Sequence, residues 1–404
     1  MPQTHSHASA AAGDRKTDFT AAFASIIAIS SIGVAIGLSF PLLSLILEQR
    51  GYSAIIIGAN AASAGVAAMA AVWLVNPMVK RLGVINTMLA CAVIASACMI
   101  GFHLFDQLAA WFALRIVFSG ALTLSFVLSE FWINSAASER QRGLMLGIYA
   151  TVLSIGFGIG PGILALTGSG GALPFAIGAA IILVSCLPVL FARRREPVLG
   201  DSLGSSSGFL KYVLIVPLAT GAVAVFGAVE QSILAIVPVY GQRLGYTETG
   251  TAVLLMVFAA GNVGLQIPLG IASDRVKDRR VILYLCGIIG VAGALLLPVV
   301  INPTAPVWPA WTVLFVWGGV ISGLYTVGLA HLGSRLSGGD LAQANAAFVF
   351  CYTIGMILGP QLSDIAMEAV PPHGFAWCVA AFFAAYLLLC IVRAFYRQRK
   401  PAAV

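Results

Sequence analysis

Arg115, Glu130, Glu230 and His331 each fall inside a long apolar stretch of this sequence. A charge facing lipid at mid-depth would cost at least about 2.5–3.5 kcal/mol, so these side chains are expected to look inward, at protein or a watery gap. A sheltered carboxyl can take up and release a proton, a His titrates near neutrality, and an Arg keeps its charge. The residue types therefore point to proton handling. Asn60, Gln231, Asn262, Gln266 and Tyr325 add neutral hydrogen-bonding groups that suit a bound solute and, equally, bonds between helices. Asp364 and Glu368, four apart and so on one helix face, are expected at a solvated helix end, with a funnel for cations as the other reading.

Other chemistries have no visible machinery. No P-loop accompanies a strand–helix pattern, and no hydrolase elbow accompanies the serines and histidines. The seven cysteines all lie in apolar runs, which argues for small buried hydrophobes over a disulfide framework or a zinc site. His5 and His7 sit in a polar leading segment that reads as a tail. No metal and no cofactor is expected.

The elements that must position the polar groups follow from composition. Sixty per cent of the 404 residues are hydrophobic and 9% charged, against about 25% charged in soluble domains, so the chain reads as a polytopic, all-α membrane protein. The stretch Trp111 to Gly162 shows the unit: two apolar runs, each long enough to cross about 30 Å of hydrocarbon, flank the charged knot SERQRG at 138 to 143. Hydropathy predicts twelve spans, at about 19–47, 54–75, 83–104, 108–134, 143–166, 171–191, 210–240, 248–271, 280–301, 309–334, 342–367 and 375–396.

The division is a polar tail at 1–18, a six-helix bundle at 19–191, a flexible linker at 192–209, a second bundle at 210–396 and a tail at 397–404. Lacking an apolar core ahead of Ala8 to Ala12, the leading segment is expected to precede an uncleaved signal anchor. With both termini cytoplasmic, 19 of the 22 Lys and Arg fall inside, Arg50 and Arg243 outside, and Arg115 within a span. The net charge of +7 is thus explained by topology, and nucleic acid is not expected as a partner.

An internal repeat supports two halves. Gly51-Tyr52-Ser53 recurs as Gly245-Tyr246-Thr247, 194 residues on. Ser154-Ile155-Gly156 with Gly160-Pro161 recurs as Thr353-Ile354-Gly355 with Gly359-Pro360, 199 residues on. Gly156, Gly160 and Pro161, with Gly355, Gly359 and Pro360, mark bare helix faces for close packing and bending.

These features resemble the major facilitator superfamily over nearly the whole chain. GIASDRVKDRR at 270 to 280 is similar to the family's cytoplasmic G-x-x-x-D-R-x-x-x-R-R signature, whereas its counterpart NPMVKRLGVI at 76 to 85 carries Asn76 and Lys80 at the usual Gly and Asp positions. Arg115 with Gly120 resembles the R-x-x-x-G of span four, and Glu130, Asn134, Tyr149, Tyr325, Asn345 and Tyr352 resemble the bacterial YcaD-like branch.

The resemblance implies that spans one, four, seven and ten line a central cavity, with Arg115, Glu130, Glu230 and His331 as proton-coupling candidates. Arg115 and Glu230 are expected to pair across it, and Glu130 and His331 to form a proton-carrying latch. Asp274, with Arg275, Arg279 and Arg280, is expected to gate the cytoplasmic side near Arg142. The function implied is a monomeric, proton-coupled carrier of a small organic solute in a bacterial inner membrane, tilted toward efflux by the span-five motif. A transporter-fold sensor that binds without turnover is the alternative, and a membrane-embedded enzyme lacks its constellation.

Overall fold

Proline and glycine place the ends and the seams of an otherwise continuous helical chain. The computed structural model describes residues 17–138, 141–197, 210–336 and 338–398, leaving aside the side chains of 72, 142–144, 146, 274, 333, 338, 339, 341, 342 and 396–398. Twelve of its helices are long and apolar enough to cross a membrane. They are span one Phe19–Gln49, two Ala54–Leu82, three Val84–Leu104, four Leu108–Ala136, five Arg142–Thr167 and six Leu173–Phe191, which is re-initiated at Ser185. The second six are Pro217–Arg243, Glu248–Arg275, Arg280–Val300, Trp308–Gly333, Gly338–Ala369 and Gly374–Gln398.

Two boundaries differ from the sequence expectation for physical reasons. The apolar run 210–240 is not one helix: Leu210–Ile215 forms a short turn, and span seven starts at Pro217. Proline lacks an N–H and disfavours helical geometry in the residue before it, and Val216 is accordingly non-helical. Span two runs on from 75 to Leu82, carrying Lys80 and Arg81 in its last turn, where they suit the negative helix end. In the stretch expected as a linker, Arg193–Arg195 forms a helical turn against the first half. There Arg195 pairs with Asp18 at 3.3 Å and its carbonyl accepts from Trp132 Nε1 at 3.1 Å, while Glu196 accepts from the Ile85 amide. Residues 198–209, like the tails at 1–16 and 399–404, lie outside the described residues.

The packing repeats as the sequence does. Spans one and five, two and four, and three and six pack together in the first half; seven and eleven, eight and ten, and nine and twelve are the equivalent pairs in the second. Two/eleven, five/eight and one/seven join the halves. Within the halves, backbones touch. A Cβ at Gly160 would overlap the Gly37 and Leu38 backbone of span one, and one at Gly156 would crowd Gly33. Gly355 and Gly359 meet Ala224 and Ala228 of span seven in the same way. Bare faces let helices approach where lipid gives no hydrophobic drive. Pro161 and Pro360 lie inside continuous helices beside these contacts.

Gly160→Val is expected to destabilise the purified protein by about 1–3 kcal/mol through overpacking of the one/five seam. Gly158→Ala, whose new methyl meets only Ala259 at 3.6 Å, is expected to be neutral. Thermal unfolding in detergent checks both, and equal melting of the two variants would mean that the seam yields.

Candidate functional site

Two regions gather the polar side chains: a carboxylate-bearing aromatic cluster of the second half, and a seal at the distal end, the end away from both chain termini. The first is built on span seven. Glu230 is partly buried, and its Oε2 accepts a 2.8 Å hydrogen bond from Tyr352 Oη on span eleven. Tyr352 stands among aromatic rings, 6.2 Å from Phe226 and 6.4 Å from Tyr325, and Tyr325 packs edge-on to Phe348 at 5.4 Å. Tyr325, on span ten, lies within electrostatic reach of Glu230 and of Glu130 of the first half. Glu130 is exposed, next to Ser129, whose hydroxyl shares a 2.8 Å hydrogen bond with Tyr149.

Two expected pairings do not form. Arg115 is 1% exposed and stacks its guanidinium on Phe40 of span one at 3.8 Å, leaving Nε and Nη1 without hydrogen-bond partners among the described residues. It does not pair with Glu230, because the arginine projects toward span one, where an aromatic face takes up the cation, while Glu230 is held by Tyr352. His331 is buried inside the second half, in the field of Asp278 and Arg279 from the eight–nine connection, and does not meet Glu130.

The neutral candidates divide as well. Asn60 and Gln231 are buried, each with one side-chain polar atom unpartnered among the described residues, while Asn262 is half-buried. Gln266 donates to Thr326 at 3.3 Å, an interhelical bond within the second half. Of the gating residues, Arg275 is exposed, Arg279 Nη1 donates to the Ala330 carbonyl at 2.6 Å, and Arg280 approaches Asp278 at 3.8 Å. The side chains of Asp274 and Arg142 lie outside the described residues.

The distal seal was not foreseen. Glu48, ending span one, grips Arg243, ending span seven, through two bonds of 2.8 and 3.0 Å. Glu248, starting span eight, accepts from Gln49 Nε2 at 2.7 Å and from the Ser169 amide at 2.7 Å, and Glu368 accepts from the Ile55 amide at 3.2 Å. Thr249 reaches the Ala165 carbonyl at 3.3 Å. Every one of these bonds joins the first half to the second. Asp364, expected at a solvated helix end, is instead fully buried against Gly58 of span two, because spans two and eleven close over it. One signal was available in the sequence: the 194-residue repeat puts Glu48-Gln49 opposite Gln242-Arg243, an acid and a base at neighbouring equivalent positions. At the proximal end, bonds such as Thr17 to Gln141 at 2.6 Å, Arg193 to Asn86 at 3.1 Å and Tyr212 to Asp340 run within one half.

Comparison with known proteins addresses the fold. The family profile described as Major Facilitator Superfamily matches residues 22–360 and 225–403. An uncharacterized MFS-type transporter, YfkF of Bacillus subtilis strain 168, is 27% identical over 346 residues, covering 84% of this chain and 86% of its own. The uncharacterized MFS-type transporter YcaD of Shigella flexneri is 22% identical over 373 residues, covering 92% and 95%. Among solved structures, the nucleoside transporter NupG aligns with a TM-score of 0.70 at 14% identity, covering 95% of this chain and 99% of that one. A D-xylose-proton symporter aligns with a TM-score of 0.70 at 15% identity, covering 92% and 96%.

Breaking the Glu48–Arg243 pair is expected to loosen the distal end. With a cysteine at Ala165, Arg243→Gln should raise the rate of labelling by an impermeant maleimide about 2–5-fold, the equivalent of the roughly 0.5–1 kcal/mol of a partly exposed pair. The exchange Glu48→Arg/Arg243→Glu should return it toward wild type. Unchanged labelling in Arg243→Gln would remove the pair from the seal.

Proposed function

The chain belongs to the major facilitator superfamily, whose curated relatives are named as transporters, and from that premise we propose that it carries a small organic solute by alternating access, coupled to protons and tilted toward efflux. The observation that carries this reading is Glu230, a carboxylate lodged between spans seven and eleven and held by Tyr352, which stands beside Tyr325. A carboxyl so placed can exchange a proton against a solute that competes for its hydrogen bonds. Aromatic rings backing one carboxylate suit a flat or cationic organic solute, which stacks on the rings and satisfies the acid.

The distal end is read as the extracytoplasmic one, since 19 of the 22 Lys and Arg fall on the proximal side, and both termini are placed in the cytoplasm of a bacterial inner-membrane protein. The arrangement is then read as an inward-facing state, since the distal seal is made and Glu130 is exposed. Asp274 and its basic neighbours are kept as the cytoplasmic lock for the opposite state. The span-five glycines, Gly156 and Gly160, serve the one/five seam and are repeated in span eleven, so the tilt toward efflux is slight.

Reconstitution in liposomes with an imposed proton gradient tests the reading. Wild-type protein is expected to drive solute uphill against the gradient. Glu230→Gln is expected to abolish uphill movement while solute exchange without a gradient continues, and Glu130→Gln to reduce coupling in the same direction. Uphill transport with normal pH dependence in both variants would take protons out of the mechanism, and saturable binding with no flux in the wild type would favour the sensor.

A further inference from the structure

Asp364 stands apart from the other acids of the distal seal. It is 0% exposed, and neither carboxyl oxygen has a hydrogen-bond partner among the described residues. Its carboxyl lies against the bare backbone of Gly58, across the seam between spans eleven and two, where a Cβ at position 58 would collide with Oδ2.

The cation that its neighbours bring is already shared with another acid. Span seven brings Arg243, but its Nε and Nη2 are taken by Glu48 of span one. Glu368, one turn along span eleven, is held by the Ile55 amide. Tyr240 of span seven is bonded to His373 of the connection into span twelve at 3.0 Å, and span two carries no titratable side chain from Ala54 to Asn76. Around Asp364 there are thus two carboxylates and one guanidinium already committed to one of them. A third negative charge in that enclosed site would be uncompensated, at a cost of several kcal/mol for a buried ion.

We propose that Asp364 is a proton-binding site of the outer gate: a proton taken up from the distal side neutralises its carboxylate and lets spans two and eleven close over it, and release of that proton to the same side accompanies opening. The step is RCOO⁻ plus H⁺ giving RCOOH, with distal water as donor and acceptor. It rests on the alternating-access reading and adds a role that Glu130 and Glu230 do not fill. Because the closed gate holds one proton more than the open gate, closure is favoured as pH falls. Above the pH at which the exposed carboxyl titrates, the closed-to-open ratio drops up to about tenfold per unit of pH.

Hydrogen exchange of the intact, reconstituted protein reads this on the gate itself, through peptides spanning 47–60 and 163–172, which contain the Ile55 and Ser169 amides bonded across the seam. Corrected for intrinsic chemical rates, wild-type protection should fall by up to about tenfold per unit between about pH 5 and 8, and Asp364→Asn should be protected at a constant level throughout. A flat wild-type profile, or the wild-type slope in Asp364→Asn, would overturn the proposal. Infrared spectroscopy of the wild type gives a second reading that needs no folded variant: the carbonyl stretch of a protonated acid should appear as the gate closes, and its absence also overturns the site. Solute exchange on the same preparation separates the two failures. Intact exchange with a flat gate profile sinks the proton site alone; pH-dependent protection without exchange sinks the transporter reading and leaves the proton site standing.

Discussion

Everything in this molecule depends on a contrast between two kinds of contact. Inside each half, helices meet backbone to backbone, as at Gly37/Gly160 and Ala228/Gly359, where no side chain can rearrange to let them slip. Between the halves, the distal end is held by exchangeable polar bonds, Glu48 to Arg243, Glu248 to Ser169 and Gln49, and Glu368 to Ile55. Close packing transmits displacement as a rigid body, and partly exposed ion pairs can be traded for water at small cost. On the proposed alternating-access reading, motion is thereby steered to the seam between the halves.

The same contrast sorts the ionisable groups. Glu230 is partly buried and accepts its hydrogen bond from the Tyr352 hydroxyl, while Glu130 of the first half is exposed. Arg115 belongs to the packed interior of the first half, where its guanidinium lies on the Phe40 ring. His331 is similarly confined to the second half. Asp364 is the exception, a carboxyl buried in the seam between spans two and eleven.

Much of this was legible in the sequence. Twelve apolar runs, the 194- and 199-residue repeats and the skewed Lys and Arg distribution predict the helices and the duplication, because lipid leaves the backbone no other way to satisfy its hydrogen bonds. Glycine spacing points to the seams. What the sequence could not give was rotation: Arg115 and Glu230 lie at compatible depths, yet which side of a helix each occupies depends on packing of neighbours far along the chain. Asp364 misled for the same reason. Four residues from Glu368 and near a helix end, it reads as solvated, and only the closure of span two over it, through the missing side chain of Gly58, buries it.

The proposed rocking of rigid halves about a polar seam can be measured directly by spin-label distances in lipid nanodiscs, with one pair across the distal end, one across the proximal end and one between spans one and five. Addition of transported solute or a change of pH should shift the distal and proximal distances in opposite senses while the one/five distance stays fixed. A one/five distance that changes with them, or distal and proximal distances that move together, would contradict the account.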